Sequence, residues 1–388
     1  MYPPHHLGGA EIHWQSAVES LKRDGHSVDV LTTDFRLQAA DATLEDGSVR
    51  RELRWYWHDH AFPRVSLRER IAIERHNHGR FEALLDELGP DLILWWAMGG
   101  MSLGLIESGR RRGLPAVGVV VDDWMTYGPH VDAWTRLASR LPAGPVERLS
   151  GLPARISIAN AAEWIFISEK VREGAASAGV RPGRSSVEHP GVEPDLFPRV
   201  ADESWRWRLL YVGRIDPRKG IEAAIRSLAH LPEEASLGIY GRGDERHLAH
   251  LHGVVRQLGL DDRVRFAHAS RDRLADVYSS ADAVIFGVEW SEPFGLVPLE
   301  AMATGRPVAA SGRGGSGEYL HDGENCVLFE PDRDGRELAS ALTRLAEDQA
   351  LRQRIRDGGF ATAARLTEER FNRALARAVR RAAEHGSE

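Results

Sequence analysis

Residues 282–305 read DAVIFGVEWSEPFGLVPLEAMATG. The first seven, DAVIFGV, form an apolar β-rich run without polar alternation, as a strand covered on both faces does. LVPLEAMATG then reads as a helix that Gly305 stops. Between strand and helix lies a loop with unusual chemistry. Glu292 sits in it, and Glu300 follows within the helix after seven intervening residues. The helix start near Gly295 and Leu296 offers free N–H groups to an anion. A carboxylate only accepts hydrogen bonds, so it suits paired hydroxyls such as a ribose diol, and Glu292 can hold sugar hydroxyls in the same way. The plainer alternative makes Glu292 a helix cap.

The same strand-loop-helix step recurs on both sides. RLLYVGR, SLGIYG, RVRFAHA, PVAAS and CVLFEP read as strands, with helices KGIEAAIRSLAHL, RHLAHLHGVVRQLG and RLADVYSSA between them. From about Asp334 onward the chain is helical and rich in Arg and Ala. The first half repeats the alternation less cleanly. Its strands are SVDVLTTD, DLILWWA, PAVGVVV and WIFIS, and a long helix carries Ile71, Phe81, Leu84, Leu85 and Leu88. Residues 43–65 are irregular, with Trp55, Tyr56 and Trp57 clustered. Such alternation predicts an α/β fold of two Rossmann-like parallel-sheet domains facing a cleft. Pro190, Pro194 and Pro198 mark a stiff connector. The expected division is therefore an N-terminal domain 1–189, a linker 190–200, a C-terminal domain 201–365, and a last helix 366–388 packing back on the first domain.

Composition narrows the function classes. The chain has 388 residues, 42% hydrophobic and 28% charged, with a net charge of −7. That balance is globular and gives no electrostatic footprint for nucleic acid. The longest uncharged stretch, residues 92–106, is too short and too glycine-interrupted to span a bilayer. At most a peripheral membrane contact is expected. A single cysteine, Cys326, excludes an internal disulfide framework and a cysteine-based zinc site, and points to a reducing cytoplasm.

Three further places carry chemistry. In YVGRIDPRKGIEAAI, Arg214 and Lys219 flank a strand-to-helix turn and suit a diphosphate. A solvated turn paired with nearby acids is the alternative there. The opening MYPPHHLGGAEIHW is a loop running into a helix at Gly8 and Gly9, and so an anion cradle. VVVDDW ends a strand with Asp122 and Asp123 toward the same cleft. Trp124 and Tyr127 read as cleft residues, and Trp95 and Trp96 as core. HDH (His58, Asp59, His60) and HNH (His76, Asn77, His78) lack the surrounding spacing of a metal or nuclease site and read as surface coincidence. Asp332 and Asp334 lie in a polar loop.

YVGRIDPRKG, EPFGLVPLEAMATGRPVAAS, GGSGEYLHDGENCVLFEP and the opening YPPHHLGGAE together resemble the nucleotide-sugar glycosyltransferases of family 4. The resemblance covers essentially the whole chain and is densest over residues 209–331. It implies the GT-B fold and a retaining, metal-independent, hexosyltransferase-like enzyme of carbohydrate biosynthesis. A nucleoside diphosphate sugar would be its donor, with no other cofactor, and a glycan, lipid-linked sugar or small metabolite its acceptor. It implies that Arg214 and Lys219 bind the donor diphosphate and Glu300 the ribose. Glu292 and the Phe294-Gly295-Leu296 backbone would hold the transferred sugar and phosphate, with Gly8 and Gly9 closing on it. The base would lie near residues 267–271. Asp122 stands where many members have a histidine, and His189 where the linker usually has an asparagine. Members also begin with a buried strand ahead of YPP, apparently missing here. The expectation is an upstream strand between SVDVLTTD and DLILWWA. A sugar-nucleotide epimerase of the same fold and a non-catalytic relative are the competing readings.

Overall fold

The computed structural model describes residues 1–6, 8–37, 47–57, 62, 65–201 and 204–386. The HDH triplet and much of residues 43–65 lie outside them. The chain divides into two compact units, Met1–Glu188 with Asn372–Glu388, and His189–Phe371. No helix among the described residues is long and apolar enough to cross a membrane.

In the first unit the chain runs α1 (Gly9–Arg23), β1 (Val30–Thr33), β2 (Val49–Leu53), α2 (Leu67–Leu88), β3 (Ile93–Trp96), α3 (Gly104–Arg111) and β4 (Ala116–Val120). It continues through α4 (Trp124–Val131), α5 (Ala133–Ala138), α6 (Ala143–Ser150), β5 (Glu163–Phe166), α7 (Glu169–Ser177) and β6 (Ser185–Val187). All strand pairs are parallel, in a sheet of order β3-β4-β5-β6 and a separate pair β1-β2. Among the described residues no strand joins β1 to β3, the two strands between which the sequence expects an upstream one. Trp14 of α1 packs beside Val18 and Val30 and also stacks on Trp96, at 6.4 Å between ring centroids. One helix thus covers both pieces. Trp124 is fully buried and packs on Trp164, so it is a core residue, contrary to its reading from sequence. The indole is large enough to repay burial beneath α4, whatever the position of its neighbours in the loop.

The HNH triplet is also more than surface. Asn77 ties to the backbone of Arg54 through both N–H and C=O and donates to Ser102 Oγ at 2.7 Å. His76 meets the Glu52 carbonyl at 2.8 Å, and buried His78 meets Ser108 Oγ at 3.0 Å. His76 and Asn77 clasp the end of β2 against α2, satisfying backbone groups that the short β1-β2 pair leaves open. Beside it, Glu74 is fully buried and accepts from Tyr56 Oη at 2.7 Å. Burial pushes the Glu74 carboxyl up to about 8 and the His78 imidazole down to about 4.

The second unit runs β7 (Arg208–Val212), α8 (Ile221–Ser227), β8 (Ser236–Tyr240), α9 (Glu245–Leu258), β9 (Val264–Ala267), α10 (Leu274–Ser279) and β10 (Ala283–Phe286). Then come α11 (Val297–Thr304), β11 (Val308–Ala310), β12 (Val327–Leu328), α12 (Arg336–Glu347), α13 (Gln349–Arg365) and α14 (Glu368–Gly386), which ends in the first unit. Local signals set these bounds. Asp244 caps α9 by accepting from two amides, and Gly259 ends it in the left-handed region at φ +66°. Asp332 accepts from the first amides of α12, so the Asp332–Asp334 loop serves a helix start.

The six strands are parallel in the order β12-β11-β10-β7-β8-β9. Leu209, Leu210, Val284 and Ile285 fill the central strands and are all buried. From β7 the chain winds outward through β8 and β9, then returns to β10 on the other side of β7 and winds the opposite way. The loops leaving β7 and β10 therefore diverge at adjacent strand ends, the topological switch point at which α/β sheets bind ligands.

Candidate functional site

Those two loops and the first turn of α11 carry four of the side chains singled out in the sequence. After β7 the chain turns through Asp216, whose carboxylate accepts from the Arg218 amide and guanidinium at 2.8–3.0 Å. The turn ends at Gly220, φ +69°, where a Cβ would overlap the Gly287 carbonyl oxygen just beyond β10. This close approach requires glycine and fixes the β7 loop against the β10 loop. The Glu289 amide donates to the Arg218 carbonyl at 2.8 Å across the same seam.

The consequence is a contact that sequence reading did not foresee. Lys219 Nζ donates to Glu292 Oε2 at 2.6 Å, although 73 residues separate them. Trp290 Nε1 donates to the same oxygen at 2.7 Å, and the Arg218 guanidinium lies over the Trp290 ring at 4.3 Å. Lys219 and Glu292 are only 15% and 12% exposed, so the pair is largely screened from water. Lys219 is therefore no solvated turn residue, and Glu292 does not cap α11: the cap position is Leu296, which makes no side-chain cap bond. The Glu292 backbone is pinned as well, its carbonyl accepting from the Gly315 amide at 2.7 Å. Arg214 is more open. It is 40% exposed, with its Nε 3.7 Å from Asp216 Oδ2.

The start of α11 keeps its first-turn amides free of any side-chain cap. Phe294 beneath it is buried between His189, at 5.3 Å, and Tyr319, at 5.0 Å, and Tyr319 Oη donates to the Gly295 carbonyl at 2.5 Å. His189 in turn meets Glu318 at 2.8 Å. Phe294, Gly295 and Leu296 are thus held by packing below. Glu300 lies one turn further on and accepts from Tyr278 Oη at 2.6 Å through Oε2. Burial raises its carboxyl above the usual carboxylate range, with the Tyr278 bond and the nearby Arg271 charge opposing the rise. Tyr278 and Trp290 were missed. Tyr278 has no local sequence signature, because it acts through a carboxylate on another element, whereas Trp290 lies two residues before Glu292 in the same loop. Glu292 and Glu300 each commit Oε2 to the protein.

In the first unit, Gly8 takes the N-cap position of α1 without a side-chain cap, and Gly9 opens the helix. Asp122, two residues past β4, accepts from the Trp124 amide at 3.1 Å and from Tyr127 Oη at 2.9 Å. Burial outweighs these bonds and pushes its carboxyl up to about 6. Among the described residues, no group of three or more His, Cys, Asp or Glu is placed to hold a metal ion.

Residues 195–361 match the model of the glycosyl transferases group 1, and residues 7–196 that of Glycosyltransferase Family 4. An uncharacterized glycosyltransferase of Methanocaldococcus jannaschii is 27% identical over 91% of this chain and 89% of its own length. D-inositol 3-phosphate glycosyltransferase 2 of Catenulispora acidiphila is 35% identical over 51% of this chain, a match spanning about half (52%) of that protein. Among solved structures, sucrose-phosphate synthase from Thermosynechococcus elongatus superimposes with a TM-score of 0.75 at 23% identity, over 98% of this chain and 96% of that one. Anabaena HepE in complex with UDP-glucose does so with 0.70 at 20% identity, over 97% and 96%. At these identities the structural likeness is one of fold.

Proposed function

We propose that this chain, which belongs to the family 4 glycosyltransferases and has their GT-B fold, moves a sugar from a nucleoside diphosphate sugar to an acceptor hydroxyl with retention of anomeric configuration. One observation carries the reading. At the switch point between β7 and β10, two cations, an uncapped helix start and two carboxylates with one oxygen each committed to the protein converge. A nucleoside diphosphate sugar offers the matching set, a doubly charged diphosphate between two groups of hydroxyls. The complex of HepE with UDP-glucose supports a donor of this class.

The roles follow from the chemistry of each group. Glu300, held by Tyr278, accepts from the ribose hydroxyls. Arg214 and Lys219 take the diphosphate. Lys219 spends one of its three N–H donors on Glu292 and keeps two for phosphate oxygens. Glu292 accepts from hydroxyls of the transferred sugar, and the amides at Gly295 and Leu296 face the phosphate. The bond from the anomeric carbon to the phosphate oxygen breaks while the acceptor oxygen bonds that carbon on the same face. The acceptor proton passes to the departing diphosphate. The growing negative charge falls on Arg214, Lys219 and the α11 amides, which are already oriented, and this stabilises the transition state. With that charge balanced by side chains, the reaction in this reading needs neither a metal nor a cofactor. Gly8, Gly9 and Asp122 are assigned to the sugar end of the donor. The lone buried thiol, Cys326, supports a cytoplasmic setting.

Calorimetric titration with UDP, ADP and GDP tests this. At least one should bind wild type, and Glu300→Ala should weaken it. Absence of binding by all three, or equal affinity in the variant, overturns the assignment.

A further inference from the structure

The first unit carries an aromatic wall that ends at Asp122 and whose rings the donor reading leaves unused. Phe35 follows β1, Trp55 and Trp57 follow β2, Gly99 and Gly100 follow β3, and Asp122 and Tyr127 follow β4. Four strand ends thus contribute to one surface, and they meet through the Gly99-Gly100 turn. The Tyr56 amide donates to the Gly100 carbonyl at 3.1 Å. A Cβ on Gly99 would overlap the Tyr127 ring, and one on Gly100 would overlap Trp55 and Phe62. Trp55 and Trp57 stack at 4.6 Å with planes 28° apart, and Phe35 stands edge-on to Trp55 at 6.3 Å. Trp55 Nε1 is enclosed against this turn without an acceptor. At the far end, Tyr127 donates to the Asp122 carboxylate. Phe35, Trp55, Trp57 and Tyr127 are all half-buried rather than enclosed.

We propose that this wall binds the acceptor as a polyhydroxylated ring, a pyranoside or cyclitol, whose C–H face stacks on the Trp55–Trp57 pair while its hydroxyls reach toward Asp122. The proposal rests on the transferase reading above. A flat, rigid indole pair buries a ring's apolar face with little loss of side-chain freedom. The carboxylate at its end supplies the acceptor atoms that a hydroxylated ring needs and an alkyl chain does not. An acyl or isoprenoid chain would instead call for an apolar end to the wall.

Saturation-transfer NMR on the full chain tests this, with methyl α-D-glucopyranoside, myo-inositol and octyl β-D-glucopyranoside, the last below micelle formation, as probes. Wild type should transfer saturation to the ring C–H protons of at least one probe. Trp57→Leu should cut that transfer by about two- to tenfold, the weight of one aromatic contact, while leaving its UDP titration unchanged. Circular dichroism confirms that the variant folds; Tyr127→Phe, which keeps the ring, is the second variant and should retain the transfer. No ring transfer in wild type, undiminished transfer in Trp57→Leu, or transfer confined to the octyl chain overturns the proposal. Failure of the donor reading shows separately, as absence of nucleotide binding in wild type.

Discussion

Replacing Lys219 by Met keeps most of the side chain's bulk and removes its charge. In the wild-type site Nζ lies 2.6 Å from Glu292 Oε2, both side chains are mostly shielded, and Trp290 Nε1 shares the same oxygen. Removing Lys219 therefore leaves a shielded carboxylate with a single neutral donor. Breaking a fully buried pair costs about 3–5 kcal/mol. Trp290 and the remaining exposure reduce this toward the value of one charge-assisted hydrogen bond, about 1.5–3 kcal/mol. For a unit of this size that lowers the melting temperature by roughly 3–12 °C. Glu292→Gln should cost less, because the amide oxygen still accepts from both donors. The double variant should be less destabilised than the sum of the two, since Lys219→Met harms mainly by stranding Glu292. Catalysis separates this structural effect from the functional one. If Lys219 also takes leaving-group charge, turnover of the nucleotide sugar falls about a hundredfold or more in Lys219→Met, and Glu292→Gln in the same background does not restore it. Melting curves and donor turnover on the four proteins decide the matter. Additive melting shifts would refute the coupling, and near-normal turnover in Lys219→Met would refute the diphosphate role.

Glu300→Gln keeps the shape of the carboxylate and should weaken nucleoside diphosphate binding by about ten- to a hundredfold, the loss of charge-assisted hydrogen bonds, as read by calorimetry. Tyr278→Phe should weaken it less and in the same direction. Glu74 gives a stability prediction with a definite sign. Its folded carboxyl titrates at about 8 against 4.5 unfolded, so the folded chain holds an extra proton between those values. Its contribution to stability is complete below pH 4.5 and is lost as pH rises through 8. Denaturation at a series of pH values should show that decline in wild type and a flatter profile in Glu74→Gln. His78, with its pKa lowered to about 4, acts oppositely, and its contribution is lost as pH falls through that value.

What the sequence discloses follows the range of the interactions. The strands β7, β8, β10 and β11 were legible because buried parallel strands are continuous apolar runs between helices of clear period. The run 282–305 was legible as a site because strand end, helix start and both carboxylates lie within one loop and one turn. The strand order was not, since nothing in β10 itself says that it returns beside β7. The Lys219–Glu292 pair follows from that order and was hidden with it. β2, VRREL, has no apolar alternation, because its burial comes from α2 and the Asn77 clasp rather than from its own side chains. Trp124 misled because a strand-end position near Asp122 suggested exposure, while the indole turns into the core on Trp164. The wall from Phe35 to Tyr127 draws on four strand ends, and only the clustering of Trp55 and Trp57 and the cleft reading of Tyr127 and Asp122 pointed to it in the sequence.

The central claim is retaining transfer from a nucleotide sugar at the β7–β10 switch point. Proton NMR of the first sugar released when the protein hydrolyses an α-linked nucleotide sugar, UDP-glucose first, tests it most directly, before mutarotation mixes the anomers. The account predicts that the α anomer appears first and that Lys219→Met abolishes its release. The β anomer appearing first, or release undiminished in Lys219→Met, would contradict it.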